Sequence, residues 1–309
     1  MTPTLVERCP RLPARDADGH KGTFGTVAVI GGSDGGDARR TMLGAPALAA
    51  TAALRVGAGL ATIAAPSPLL PEILSICPAA TGFGLPTGRD GTLDASGAAA
   101  QIDRALERAA SAVVGPGFGE GEAQQQIVVR LTNLESPPMV IDADALNALS
   151  TLHDFARDVR VPAVLTPHPG EFARLATALG LGLPPDAATD DARRVDAAAA
   201  LARRLGAVVV LKGRGTVVSD GLRAWRCGRG NAALAVGGSG DVLSGVIGGL
   251  LAQFAKPPHG LSLFDCACLG VEIHARAADR WAAAHTTAGM LPTDLCGELP
   301  DALAELRTP

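Results

Sequence analysis

The chain has 309 residues, of which 47% are hydrophobic and 19% are charged. This composition supports a packed core and excludes an intrinsically disordered chain. The formal net charge of -4 at pH 7 provides no basic field that would attract nucleic acid or an anionic membrane. Any anionic ligand must therefore be held by a local group of side chains and backbone amides.

Residues 1–22 contain no apolar stretch long enough for a signal peptide, and no run of about 20 apolar residues occurs in the chain. We therefore expect a cytoplasmic protein that does not enter a membrane. The cysteines are scattered and form no CxxC pair, which predicts buried free thiols rather than metal ligands. They are Cys9, Cys77, Cys227, Cys266, Cys268 and Cys296.

Short β-branched segments alternate with alanine-rich segments along the chain. This alternation predicts a three-layer α/β/α sandwich with a largely parallel central sheet, whose uniformly apolar strands are buried on both faces. Two later segments, Thr216–Ser219 and Arg223–Cys227, flank Asp220-Gly221 and predict an antiparallel hairpin at the edge of the sheet. The predicted parallel strands are Thr26–Ile30, Leu60–Ile63, Ala112–Val114, Met139–Ile141, Ala163–Leu165 and Ala207–Leu211.

No repeat or linker marks a domain boundary, so we expect one domain over residues 1–309, with residues 1–20 as an extended N-terminal arm. Residues 42–57 are predicted to form the first long helix. A later helix is predicted from apolar residues at the i, i+3, i+4, i+7 spacing. These residues are Leu243, Val246, Ile247, Leu250, Leu251 and Phe254.

A glycine-rich turn, Gly237–Asp241, leads directly into this later helix. Backbone amides converge at a helix start, where the helix dipole is positive, and glycines let a phosphate approach the backbone closely. The turn therefore predicts an anion site with Asp241 at or beside the N-cap. Taken alone, the same residues fit equally well a plain Asp cap preceded by glycines that reverse the chain.

Two other polar motifs follow predicted strands. Lys212 comes directly after Ala207–Leu211, and ligands of open α/β sheets bind beyond the carboxyl ends of strands, which favours a phosphate or nucleotide contact over a solvated loop. In Thr166–Glu171, two prolines fix a rigid turn. This turn favours functional roles for His168 and Glu171, although a core hydrogen-bonding histidine and an acid that complements the helix dipole are the structural alternatives.

The segment Asp142–Asn147 follows the strand Met139–Ile141. Asp142 and Asp144 lie on opposite sides if the strand continues, and one of them could instead cap a helix. Gly115–Gly119 follows another strand and offers a further close approach to the backbone. Four strand-end motifs are thus expected to crowd one edge of the sheet.

Two common phosphate-binding fingerprints are absent. Ile30–Gly36 gives no GxGxxG in any register, because Ser33 and Asp34 occupy the required glycine positions. None of the three lysines is followed by Ser or Thr, which excludes a Walker A loop. Phosphate binding is therefore expected at Gly237–Asp241.

Nine short motifs, taken together and in chain order, resemble those of the ADP/ATP-dependent NAD(P)H-hydrate dehydratases, which have a ribokinase-like fold. The resemblance extends from about residue 21 to residue 285, and the combination of TPHPGE, KG and GGSGD is far more specific than any one motif. We expect no fused epimerase domain of the kind found in some relatives. The motifs are Lys21–Gly25, Val29–Gly32, Gly44–Pro46, Arg55–Gly59, Gly115–Gly117, Asp142–Asn147, Thr166–Glu171, Lys212-Gly213 and Gly237–Asp241.

The resemblance implies repair of hydrated NADH or NADPH (NADHX and NADPHX). In that reaction ADP or ATP phosphorylates the C6 hydroxyl of the nicotinamide ring, and elimination of phosphate restores the reduced cofactor. It implies that Asp241 takes the hydroxyl proton while Gly238, Ser239 and Gly240 stabilise charge on the transferring phosphoryl group. It also implies Mg²⁺ held by Glu171 through water, and a homotetramer.

The resemblance also assigns binding residues. The hydrated cofactor would be lined by Ala45, Gly117, His168 and Asp241. Two positions depart from the family pattern: Ser239 replaces Thr but keeps the hydroxyl, and Asn231–Leu234 replaces a segment with Pro and Gly, which leaves the adenine contacts open. The nucleotide would be held by Lys212, Gly213, Arg214, Gly215, Thr216 and Gly240.

Two other functions stay open at this point. One is a kinase of the same fold that phosphorylates a vitamin-like alcohol such as a thiazole or a pyrimidine, with Asp241 as the same base; the loop Thr166–Glu171 argues against it. The other is a non-catalytic nucleotide-binding regulatory protein, against which the intact Asp241 and Glu171 argue. The choices between ADP and ATP and between NADHX and NADPHX also stay open.

Overall fold

The computed structural model describes residues 2–35, 41–152, 155–157 and 159–307. Its centre is one ten-stranded sheet. The strands are β1 Thr4–Leu5, β2 Thr26–Ile30, β3 Leu60–Pro66, β4 Thr81–Leu85, β5 Ser111–Val114, β6 Met139–Ile141, β7 Ala163–Leu165, β8 Val208–Leu211, β9 Val217–Ser219 and β10 Arg223–Arg226. Their order across the sheet is β1-β10-β9-β8-β7-β6-β5-β2-β3-β4.

Successive residues of the central strands point to opposite faces of the sheet, and both faces are apolar and buried. In β2, Val27 and Val29 belong to one core and Ala28 and Ile30 to the other. A layer of helices must therefore cover each face. Strands β2 to β8 all pair in parallel, which confirms the predicted largely parallel sheet.

Two layers of helices enclose the sheet. One layer packs on the core that contains Val27 and consists of α1 Gly44–Arg55, α2 Leu70–Ile76, α8 Ser239–Phe254, α9 Leu263–Ala284 and α10 Pro292–Arg307. The opposite layer consists of α3 Ala95–Leu106, α4 Glu122–Thr132, α5 Asp144–Ser150, α6 Pro169–Ala178 and α7 Arg194–Leu205. The three-layer sandwich is thus confirmed, and α1 is two residues shorter at each end than predicted.

The sheet contains two strands that the sequence analysis misses. Strand β4 has two glycines among its five residues and lacks the β-branched run that identifies the other strands. Strand β1 is formed by Thr4–Leu5 of the predicted arm and pairs in parallel with β10. The antiparallel hairpin of β9 and β10 is confirmed, and β1 lies outside it at the end of the sheet.

Three remaining features can be compared with their predictions. Cys9 is partly exposed and the other five cysteines are buried, all of them as free thiols. Within the described ranges, no helix combines the length and apolar character needed to cross a membrane. In the segment Ile30–Gly36, Gly36 lies outside the described residues.

Candidate functional site

The carboxyl ends of β6, β7 and β8 bring three of the predicted motifs to one edge of the sheet. Asp142 follows β6, Thr166–Glu171 follows β7 and Lys212 follows β8. Helix α8 starts at the same edge, because a Cβ built on Gly240 would lie only 3.3 Å from Lys212 Nζ. The predicted crowding of strand-end motifs is therefore confirmed.

The glycine turn forms the start of α8. Its N-cap is Gly238, whose φ of +94° is a left-handed conformation that favours glycine, and a Cβ there would lie 2.7 Å from Pro292 Cγ. Asp241 is therefore the third residue of the helix and not its cap. The first amides of a helix have no acceptor one turn earlier, so they and the helix dipole are the groups on which the predicted anion site depends.

Charged side chains meet beside this turn. Lys212 Nζ lies 2.8 Å from Asp142 Oδ1 and 3.8 Å from Glu171 Oε2. Asp142 is 1% exposed and Glu171 is 5% exposed, so water and salt screen these charges weakly. Asp241 interacts with the charges of all three residues. We call Asp142, Glu171, Lys212 and Asp241 the carboxylate–lysine cluster.

Burial and mutual charge shift the pKa values within this cluster. Burial raises the pKa of Asp241 to about 7, helped by Asp142 and opposed by Lys212. Burial also raises the pKa of Glu171 to about 7, again opposed by Lys212. Burial opposes the positive charge of Lys212, but Asp142 and Glu171 outweigh it and raise the pKa of Lys212. The lysine therefore stays charged while two carboxyl groups titrate in the range that suits acid–base catalysis.

Sequence reasoning assigns no binding or catalytic role to two partners at this site. Asp142 is not among the predicted site residues, although its position after a buried strand was the available signal. Ser244 lies one turn after Gly240 in α8 and carries no sequence signal. Its Oγ donates a hydrogen bond to Asp142 Oδ2 at 2.5 Å and lies 3.1 Å from the Gly240 carbonyl oxygen.

Asp144 has a different position from Asp142. Strand β6 ends at Ile141, and Asp144 is the first residue of α5, whose N-cap is Ala143. Neither aspartate therefore caps that helix with its side chain. Asp144 Oδ2 accepts a hydrogen bond of 2.8 Å from Gly119 N, and burial raises the pKa of Asp144. This contact joins the loop after β5 to the loop after β6.

His168 is the N-cap of α6. Its Nδ1 accepts hydrogen bonds from Gly170 N at 3.0 Å and from Glu171 N at 3.3 Å, and Glu171 Oε2 accepts one from His168 N at 2.7 Å. Burial lowers the pKa of His168, with a further lowering by Lys212, so the ring is neutral near pH 7. His168 thus hydrogen-bonds as a helix cap and not as a core residue, and about half of its side chain remains exposed beside the cluster.

The loop Lys212–Thr216 joins β8 to β9 at the same edge. Lys212 N donates to the Pro167 carbonyl at 2.9 Å, which places the loop directly against the Thr166–Glu171 turn. Buried Arg194 donates to the Lys212 carbonyl at 3.1 Å, and Thr216 Oγ1 donates to the Gly213 carbonyl at 2.9 Å. Arg214 is exposed. Five of the six residues predicted to hold the nucleotide therefore form this loop, and the sixth, Gly240, lies at the start of α8.

Ala45 and Gly117 meet where the strand order reverses, between β2 and β5. A Cβ on Gly117 would lie 3.1 Å from Ala45 Cβ. Ligands of open α/β sheets bind at such reversal points. A cavity of about 1190 Å³ lies next to this contact, with Met42, Gly119 and Asp144 among its walls. Its described walls include none of Ala45, Gly117, His168, Asp241 and Lys212. Asp144, which is one of its walls, interacts with the charge of Asp241.

The described residues contain no group of three or more His, Cys, Asp or Glu side chains that could hold a metal ion. Glu171, predicted to hold Mg²⁺ through water, already has Oε2 bonded to His168 N and near Lys212 Nζ. The contact of Glu171 with Mg²⁺ therefore stays a prediction.

Known proteins resemble this chain over nearly its full length. A family model described as NAD(P)H-hydrate dehydratase matches residues 27–301. An ADP-dependent (S)-NAD(P)H-hydrate dehydratase of Neisseria meningitidis serogroup B is 39% identical over 312 residues, which cover 98% of this chain and 93% of that protein. The chain spans about half the length of the bifunctional NAD(P)H-hydrate repair enzymes that it also matches; that of Moorella thermoacetica is 38% identical, with 96% of this chain and 52% of the relative covered.

Solved structures share the fold. An ADP/ATP-dependent NAD(P)H-hydrate dehydratase from Bacillus subtilis, co-crystallised with ATP/Mg²⁺, superposes with a TM-score of 0.75 at 31% identity and covers 96% of this chain and 95% of its own. A ribokinase-like superfamily protein from Enterococcus faecalis V583 superposes with a TM-score of 0.77 at 25% identity, with 99% and 97% covered. The ribokinase-like fold is therefore confirmed.

Proposed function

Because the chain belongs to the NAD(P)H-hydrate dehydratase family, we propose that it converts the (6S) hydrate of NADH or NADPH back to the reduced cofactor, with ADP or ATP as phosphate donor. The observation that carries this proposal is the position of Asp241. Its carboxyl group has a pKa raised to about 7 and lies in the first turn of α8, among the amides that would face a phosphate.

The reaction has two stages. Asp241 takes the proton of the C6 hydroxyl, and the hydroxyl oxygen attacks the terminal phosphorus of the donor. The bond between that phosphorus and its bridging oxygen breaks, and AMP or ADP leaves with the electron pair. Loss of a proton from C5 and of phosphate from C6 then forms the C5=C6 double bond and restores the reduced nicotinamide.

The amides of Gly238, Ser239 and Gly240 would stabilise charge on the transferring phosphoryl group, since they lie at the positive end of α8. The proposed donor site uses Gly240 together with the loop between β8 and β9. Its support is the short distance between that loop and the start of the helix. The loop residues are Lys212, Gly213, Arg214, Gly215 and Thr216.

The hydrated cofactor would contact Ala45, Gly117, His168 and Asp241. The support for this assignment is the contact between Ala45 and Gly117 at the reversal of strand order and the adjoining cavity, whose volume of about 1190 Å³ is ample for a small-molecule ligand. Mg²⁺ bound to the donor phosphates would neutralise their charge, with Glu171 as its outer contact through water.

Three other parts of the proposal do not depend on the site: the single domain and the cytoplasmic location rest on the sequence, and the homotetramer rests on the family. We place the repair activity in a single domain of residues 1–309, in the cytoplasm, and in a homotetramer. Light scattering on the purified protein tests the assembly, with an expected mass about four times that of one chain. A monomeric mass would contradict that part and leave the proposed reaction untouched.

The proposed activity is tested by absorbance at about 340 nm, where the reduced nicotinamide absorbs and its hydrate does not. Purified protein, NADHX or NADPHX, and Mg²⁺ are mixed with ADP, with ATP or with no nucleotide. We expect a rise that needs a nucleotide, and the comparison identifies both the preferred donor and the preferred hydrate. Calorimetric titration with each nucleotide accompanies the assay.

Two outcomes would contradict the proposal in different ways. If nucleotide binds but no hydrate is consumed, a stable phosphorylated product from a vitamin-like alcohol would show the chain to be a kinase. If nucleotide binds and no alcohol is phosphorylated either, the chain is a non-catalytic nucleotide-binding protein. The Asp241→Asn variant, purified and assayed in the same way, is the control for activity from a contaminating enzyme.

A further inference from the structure

A buried chain of hydrogen bonds links helix α8 to the lysine of the cluster. Ser244 Oγ donates to Asp142 Oδ2 at 2.5 Å, and Lys212 Nζ donates to Asp142 Oδ1 at 2.8 Å. The two carboxylate oxygens of Asp142 thus have different partners. We call these three residues the Ser244–Asp142–Lys212 chain.

This chain connects three elements that the sequence separates widely. Asp142 follows β6, Lys212 follows β8, and Ser244 belongs to α8, the helix that also carries Asp241. Ser244 is completely buried and Asp142 is 1% exposed, so neither is available to solvent. Removing one partner of a buried ion pair leaves an uncompensated charge, which the surrounding structure must move to relieve.

The chain also limits where the Lys212 ammonium can lie. Nζ lies 2.8 Å from Asp142 Oδ1 and 3.8 Å from Glu171 Oε2, and it is next to Gly240 at the start of α8. Ser244 donates to the other oxygen of the Asp142 carboxylate, and its Oγ lies 3.1 Å from the Gly240 carbonyl oxygen. The ammonium is therefore placed at the anion site by Asp142, while Ser244 fixes the carboxylate relative to the helix.

We infer that Asp142 and Ser244 are positioning residues that hold the Lys212 ammonium where it stabilises the transferring phosphoryl group. This inference rests on the proposed function, which supplies the phosphoryl transfer. The donor nucleotide is anchored by several backbone groups as well, so a displaced ammonium changes the transition state more than the bound ground state. Neither Asp142 nor Ser244 needs to touch the substrate in this role.

The test compares Asp142→Asn, Ser244→Ala, Lys212→Ala and the double variants of Lys212→Ala with each of the first two. We expect Asp142→Asn to lower kcat about 10- to 100-fold and Ser244→Ala about 3- to 10-fold, with the nucleotide Kd changed less than about 3-fold. In the Lys212→Ala background, either second substitution should change kcat by less than about 3-fold, because its effect acts through the lysine.

Ser111→Ala is the matched control for Ser244→Ala. Ser111 is also completely buried and its Oγ donates to a carbonyl of the same helix, that of Gly248, at 2.7 Å, but it lies outside the cluster. We expect kcat within about 2-fold of native for this control. If Ser111→Ala lowers kcat as much as Ser244→Ala does, the loss comes from the general packing of α8. That result would overturn the inference.

The double variants test the inference even if Asp142→Asn fails to fold, because Ser244→Ala and Lys212→Ala form an independent double-mutant cycle. Effects that multiply, so that each double variant loses the full factors of both single changes, would show that Asp142 and Ser244 do not act through Lys212. An active native enzyme with multiplying effects overturns only this inference. A native protein that binds nucleotide but converts no hydrate overturns the proposed function, and the inference with it.

Discussion

At the scale of single residues, Asp241 combines features that a general base requires. Its carboxyl group is largely enclosed at the start of α8, and burial raises its pKa to about 7. A base with a pKa near the working pH accepts a proton readily while still being ionised in a large fraction of molecules. The adjacent Lys212 charge keeps this pKa from rising further.

Replacing Asp241 with Asn removes the base while preserving the size of the side chain. We expect kcat to fall about 10²- to 10⁴-fold, because a general base contributes a factor of that order. Affinity for ADP or ATP should change little, since the amides of the turn remain. Rapid kinetics with the hydrate and calorimetry with the nucleotide measure the two quantities. Native-like turnover in this variant would remove Asp241 from the mechanism.

The raised pKa of Asp241 also predicts the pH dependence. A base acts in its deprotonated form, so kcat/KM should rise from about pH 6 and level off above about pH 8. Glu171, whose pKa is also raised to about 7, interacts with Asp241, so the midpoint belongs to the coupled pair. The measurement is kcat/KM across this range in one buffer system at constant ionic strength. A profile that falls with increasing pH would mean that the essential group acts as an acid.

At the scale of elements, the position of α8 depends on its close contact with α1. Gly245 of α8 faces the backbone of Ala49, and a Cβ at this position would collide with the Ala49 carbonyl oxygen. Only a residue without a side chain permits this approach of the two helices. Because α8 carries both Asp241 and Ser244, its packing against α1 also sets the geometry of the site.

Gly245→Ala should therefore destabilise the protein by about 1–3 kcal/mol, the usual result of overpacking a core, and should also lower kcat. Gly297→Ala is the matched control, because Gly297 lies in α10 with nothing within 4 Å of a built Cβ. That control should stabilise the protein by about 0.5–1 kcal/mol, since alanine favours a helix over glycine. Denaturant unfolding of both variants measures the difference, and equal effects would contradict the close contact.

The type of a secondary-structure element can be predicted from the sequence where a local pattern of residues determines it. The β-branched segments identify β2, β5, β6 and β7, whereas β4, with Gly82 and Gly84, lacks that pattern and depends on pairing with β3.

The ion pair of Asp142 with Lys212 joins residues 70 positions apart. It arises from the order of β6, β7 and β8 in the sheet, which no local pattern encodes. The start of α8 also differs from the prediction, which has Asp241 at or beside the N-cap. Gly238, in the left-handed conformation, is the N-cap, and Asp241 lies in the first turn of the helix.

At the scale of the whole molecule, the two proposed ligands lie toward different halves of the sheet. The nucleotide loop Lys212–Thr216 joins β8 to β9, whereas Ala45 and Gly117 meet where β2 adjoins β5. Helix α8 packs against β2, β5 and β6, between these regions. In the proposed reaction this arrangement would give the donor and the hydrate separate approaches to Asp241, and the cavity beside Asp144 would leave room for the rest of the hydrated cofactor.

Nucleotide binding should therefore stabilise the whole fold, because its contacts exist only when β8, β9 and α8 are assembled. A ligand at 100 times its Kd contributes about 2.7 kcal/mol, which corresponds to several degrees in Tm for a chain of this size. We expect ADP or ATP to raise the Tm of the native protein and of Asp241→Asn alike. The rise should be smaller for Lys212→Ala at the same nucleotide concentration, because one phosphate contact is lost. Equal rises for Lys212→Ala and native protein would remove the lysine from the nucleotide site, and no rise for any of the three would contradict the site itself.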